Sequence, residues 1–173
     1  MATKPGLFSI AAPAWLAAGT LDVTAAVTYY PLTAGVSPLR ILQGIASGLL
    51  GASAFSGGLA SAALGLALHY LIALIWTILY CLAARRFAAL VRHRVVAGLA
   101  YGVVVWAGMN LVVLPLSRVR HAPFNLRQAL VAAAILMVCL GLPIATIIGR
   151  RLQTKTPAAP SGARDRRTAT RAG

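Results

Sequence analysis

LASAALGLALHYLIALIWTILYCLAARR, residues 59–86, is the stretch whose reading decides the fold. No charged side chain interrupts it before Arg85 and Arg86 arrive together. A helix rises about 1.5 Å per residue, so about 20 apolar residues cross the hydrocarbon of a bilayer. Residues 59–84 exceed that length, and a hydrocarbon-embedded chain must satisfy every backbone group internally, which a helix does. The run therefore predicts a transmembrane helix fenced by arginine.

The same arrangement recurs outward in both directions. Residues 95–117 run apolar up to Arg118 and Arg120, and residues 126–149 run up to Arg150 and Arg151. Toward the beginning, residues 7–30 form an apolar run interrupted by Pro13 and Asp22 and stopped at Pro31. Lys4 before an apolar stretch also fits a signal peptide, but the run outlasts a signal core of about 7–15 residues, which predicts a retained helix. Between the first two spans, residues 37–55 change pattern. Arg40, Gln43, Gly44, Ser47, Gly48 and Gly51 share one helical face, and Leu42, Ile45, Leu49 and Ala52 take the other. That segment is expected to be an amphipathic helix, lying in the interface or dipping back against the bundle. The expected fold is all-α and polytopic: four transmembrane helices plus this interfacial helix.

Composition agrees. Of 173 residues, 60% are apolar and 10% charged, against about 25% charged in ordinary soluble domains. Sixteen Lys and Arg face two acids, Asp22 and Asp165, for a net charge of +14. The basic residues sit in short blocks between apolar runs, the pattern of topogenic charge, and no aromatic or glycine motif accompanies them, so nucleic acid is not an expected partner. The bilayer is. From position 152 the composition turns to Thr, Ala, Pro, Ser, Gly and Arg, which cannot build a core and reads as a disordered basic tail. Four spans put Lys4, Arg85, Arg86, Arg92, Arg94 and the seven basic residues from Arg150 onward on one side, against Arg40, Arg118, Arg120 and Arg127 on the other. The positive-inside bias then predicts both termini in the cytoplasm.

Three stretches, LQGIASGLLG (42–51), GLALHYLIALIW (65–76) and YGVVVWAGMNLVVLPLS (101–117), carry a resemblance. Over roughly positions 19 to 117 the chain resembles a group of short multi-pass membrane proteins of bacteria. The resemblance implies a bacterial cytoplasmic (inner) membrane and transfers no functional residue.

Polar residues inside the spans are the candidates for function, because hydrocarbon makes them costly: an ionised aspartate at mid-membrane costs at least about 2.5–3.5 kcal/mol on insertion scales. Asp22, His69 and Asn110 lie in the first, second and third spans, and counting along antiparallel helices puts all three at one level, slightly to the outer side of the middle. They are expected to meet as a hydrogen-bonded cluster. Three readings follow. The cluster holds helices together, an Asp–His pair within it loads and releases a proton or cation, or the three residues make no mutual contact.

Small residues supply packing surfaces. Gly98 and Gly102 form a GxxxG with Val105 and Met109 continuing its face, and Ser61 and Gly65 form a similar pair. Such motifs join helices within a monomer or between copies, with packing inside the monomer as the default and a homo-oligomer as the other possibility. Trp15, Tyr30 and Tyr80 are expected as interfacial anchors, and Pro143 is expected to kink the fourth span. Cys81 and Cys139 lie far apart in apolar runs and read as small buried hydrophobes, with no metal or cofactor spacing. Asp22 has no acidic companion within the spans, and no Walker loop, HExxH or nucleophile elbow occurs. An enzyme is not expected. The sequence points first to a structural or assembly component of the membrane, and second to a small proton- or cation-handling subunit.

Overall fold

A computed structural model describes residues 6–119 and 125–153. Within these the protein is all-α: α1 (Leu7–Ala34), α2 (Pro38–Leu50), α3 (Gly58–Arg86), the short α4 (Ala88–Arg92), α5 (Arg94–Leu116) and α6 (Leu126–Gln153). α1, α3, α5 and α6 are long and apolar enough to cross a bilayer. This is a multi-pass membrane protein.

The helices run past the sequence-read limits at several ends. α1 continues through Pro31 to Ala34 and closes at Gly35, whose φ of 65° lets its N–H return to the Pro31 carbonyl. α6 continues to Gln153, so positions 152 and 153, assigned above to the tail, are helical. The Gln153 carboxamide accepts from Arg94 at 3.0 Å and donates to the Val91 carbonyl at 3.2 Å, which ties the last turn to the α4–α5 corner. The remainder of the tail lies outside the described residues.

The core combines alanines with a few large side chains. Ile10, Ala14 and Ala18 of α1 are buried at helical spacing, against Leu140, Ile144, Ala145 and Ile148 of α6 and Tyr80, Cys81 and Ala84 of α3. Alanines at the seam let helices approach closely, the main source of attraction where the surrounding lipid is as apolar as leucine. Other large apolar side chains lie outside: Leu21, Leu71, Ile75, Leu79, Val104, Leu111 and Leu130 are all exposed around the girth. In water such a surface would far exceed the few hundred Å² that a soluble monomer tolerates.

The Gly98–Gly102 face turns into the protein. A Cβ at Gly98 would meet the Gly141 carbonyl at 2.9 Å and Ala145 at 3.0 Å, and one at Gly102 would run into the Met137 backbone. The GxxxG therefore joins α5 to α6 within one chain. Val105 is buried on the same face. Gly65 takes the carbonyl side of Leu42, so α2 crosses α3 at that glycine. Ser61 sits beside it, donating to the Ala54 carbonyl at 2.6 Å.

α2 packs against the bundle with its polar face inward. Ser37 caps it, Gln43 and Ser47 are buried, and Gln43 donates to the Gly58 carbonyl at 3.1 Å. Leu49 and Leu50 are exposed instead. The Gly48 carbonyl also accepts from the Arg118 N–H at 2.9 Å, tying α2 to the end of α5. Backbone carbonyls of Gly58 on α3 and of Gly44 on α2 itself serve the polar side chains, and lipid can serve the leucines.

Prolines shape the last two spans. In each, a turn of π-helix (Met109–Val113 in α5 and Leu136–Gly141 in α6) lies two residues before a proline, Pro115 and Pro143 respectively. A proline ring clashes with the carbonyl four residues back, and the wider turn relieves that clash. Pro13 in α1 likewise cannot donate to the Ser9 carbonyl, which accepts from Arg151 at 2.9 Å instead.

Two expected anchors pack against neighbouring helices. Tyr80 is 1% exposed, packed 4.8 Å from the Tyr101 ring. Trp15 donates through its indole N–H to the Tyr70 carbonyl at 2.7 Å, between α1 and α3. Each ring found a neighbouring helix, which a single-span reading cannot foresee. Cys81 is buried and Cys139 half-buried.

Candidate functional site

Asp22 and Gly19 lie three residues apart on one face of α1, opposite His69 of α3. The imidazole Nε2 is 2.9 Å from the Gly19 carbonyl and 4.0 Å from Asp22 Oδ2. A carbonyl only accepts, so Nε2 carries a hydrogen and donates it to Gly19. Nδ1 is left as the nitrogen able to take a second proton. At 4 Å, opposite unit charges attract by about 4 kcal/mol at an effective dielectric of 20.

The approach of α1 to α3 that makes this contact has identifiable causes. Gly19 lacks a Cβ, and the Tyr70 ring fills that space, 3.0 Å from where the Cβ would stand. Tyr70 also shares a hydrogen bond with Thr20 through their hydroxyls, 2.9 Å apart. Together with Trp15, these residues form a polar seam along one stretch of α1. Sequence reasoning missed Gly19, Thr20 and Tyr70. Their signal was the spacing Trp15–Gly19–Asp22, which is i, i+4, i+7 on a helix.

Asp22 itself takes no part in that bonding. Among the described residues its carboxylate makes no hydrogen bond, and the imidazole at 4.0 Å is its one ion-pair partner. It faces a cavity of about 100 Å³, room for several waters. His69 lines the cavity with it, and the remaining wall is apolar, including Ile45 of α2, Trp76 of α3, Val105 and Met109 of α5, and Leu136 and Leu140 of α6. Met109 and Leu136 belong to the two π-helical turns, so both proline-distorted segments border this space.

Asn110 does not join the pair. It is exposed, and its amide donates to the Trp106 carbonyl one turn back at 2.8 Å. One position along α5 separates it from Met109, which does face the cavity, and one position is about 100° of helix rotation. The three-residue cluster is corrected to two. Counting along a helix speaks to depth and says nothing about direction. Among the described residues no three His, Cys, Asp or Glu side chains converge in a way that would hold a metal ion.

No family model, curated protein or solved structure matches the chain. Its chemistry rests on the side chains described above.

Proposed function

We propose that the protein is a non-enzymatic integral membrane protein in which the Asp22–His69 pair takes up and releases a proton, or holds a small cation, for transfer through the bundle. The observation that carries this reading is a carboxylate inside a membrane span that, among the described residues, makes no hydrogen bond to a neighbouring helix and faces a cavity instead. A purely structural acid would be used as an interhelical acceptor. His69, Trp15 and Thr20 supply the interhelical bonds without it. One proton neutralises the pair, which lowers the cost of its charge in an apolar setting.

A second reading, a structural or assembly component, is favoured by the close glycine seam and the His69–Gly19 bond, which hold the bundle together in any case. In both readings the bilayer is the partner. The arginine distribution supports a cytoplasmic position for both termini, and the resemblance noted above supports a bacterial cytoplasmic membrane.

Infrared spectroscopy separates the readings, because the sequence holds two acids and no glutamate. A carboxyl band that rises and falls with pH in the folded, reconstituted protein and disappears in Asp22→Asn is the expected result. An Asp22 band that stays fixed over the whole pH range of the folded state would leave only the structural role.

A further inference from the structure

The basic end of the bundle carries a feature that the proton site does not use. α3 ends at Arg86, the chain turns through Phe87 in an extended conformation, and α4 folds back beside the last turn of α6. These elements border an open groove of about 480 Å³. Arg85, Arg86 and Arg92 border it, Val91 and Leu152 give it apolar surface, and Gln153 closes one side. Gln153 is fixed in place by its bonds to Arg94 and to the Val91 carbonyl. Three arginines thus border a space whose walls belong to three different helices.

Among the described residues the one acid is Asp22, beside His69, and His69 lies 16 residues before Arg85 on α3, or about 24 Å. The groove also sits where the apolar length of α3 gives way to arginine, which is headgroup depth. Leu79 and Leu82, exposed on the same helix below it, offer a path for acyl chains. Guanidinium groups bind phosphate oxygens in forked geometry.

We propose that this groove binds the phosphodiester headgroup of an anionic phospholipid. The apolar surface beneath the arginines is what selects a lipid over a free anion, since inorganic phosphate has nothing to lay against Leu79 and Leu82. The site fixes one lipid at the corner where α3, α4 and α6 meet.

Titration of the full-length protein in detergent, followed by native mass spectrometry, tests this with phosphatidylglycerol, phosphatidylcholine and inorganic phosphate as probes. Phosphatidylglycerol is expected to bind at least about tenfold more tightly than phosphatidylcholine, and the preference should shrink as salt rises. Arg86→Gln with Arg92→Gln should weaken phosphatidylglycerol about thirtyfold, and Arg92→Gln alone about fivefold, each charge near the surface counting about equally. Arg40→Gln, at the opposite end, should change nothing. Circular dichroism checks that the variants keep their helix content, and the single variant serves if the double does not fold. Equal binding of the two lipids, or wild-type binding by both arginine variants, would overturn the proposal. Inorganic phosphate competing at the same concentration as the lipid would also overturn it, by making this a soluble-anion site.

Discussion

Asp22→Asn should reduce proton entry into vesicles containing the reconstituted protein to the level of protein-free vesicles. Asparagine keeps the size and polarity of aspartate and removes only the exchangeable acid, so packing changes little. The carboxylate makes no hydrogen bond among the described residues, and no interhelical bond is lost with it. His69→Gln separates the two roles of the imidazole. Glutamine can still donate to the Gly19 carbonyl, as Nε2 does at 2.9 Å, but has no second nitrogen to protonate. It should fold normally and carry protons more slowly than wild type. A pH-sensitive dye trapped in the vesicles, with an imposed potential as the driving force, gives the rate. Equal rates for wild type and Asp22→Asn would return the pair to a purely structural role.

Gly102→Leu should destabilise the bundle by about 3 kcal/mol or more. The first added carbon already overlaps the Met137 backbone, and Gly141 is closed in from the other side by the backbone of Gly98. A side chain in the way can rotate. Two backbones cannot, so α5 and α6 must separate, and their separation exposes the buried faces of Val105, Leu140 and Ala145. The internal control is Gly44→Ala on α2, where nothing lies within 4 Å of the new carbon. That change should be neutral or slightly stabilising, by up to about 1 kcal/mol, since alanine is the better helix former. Thermal unfolding in detergent, read by circular dichroism, compares the two. Similar midpoints for Gly102→Leu and wild type would mean that the α5–α6 seam is not the close contact described here.

The spans were legible because solvent sets their pattern: a run such as residues 59–84 needs no partner to declare itself apolar. The ends were less so. Pro31 reads as a stop, yet one missing N–H does not end a helix when a glycine four residues later can cap it. Directions around each helix were legible where small residues mark a close seam, as with Gly98 and Gly102. They were not legible for polar residues, because depth along a helix follows from counting whereas facing depends on which neighbour is present. Asn110 shows the difference. Its carboxamide is satisfied by its own helix, an option open to any residue of that kind, and the π-helical turn that begins at Met109 shifts the register beyond what a uniform helix would predict. The inward polar face of α2 was hidden for the same reason. Nothing in residues 37–55 states that a helix with Gln43 and Ser47 on one side will bury that side and find the Gly58 carbonyl there rather than water.

Water access to position 22 is the most direct test of the proton-handling account. With Cys81 and Cys139 replaced by alanine, Asp22→Cys and Val104→Cys are each exposed to a membrane-impermeant thiol reagent in intact vesicles. Val104 is exposed on the lipid-facing side of α5, whereas position 22 borders the cavity. The account predicts prompt labelling at 22 and protection at 104. Labelling at 22 no faster than at 104 would mean that no water reaches the carboxylate, and the account would be wrong.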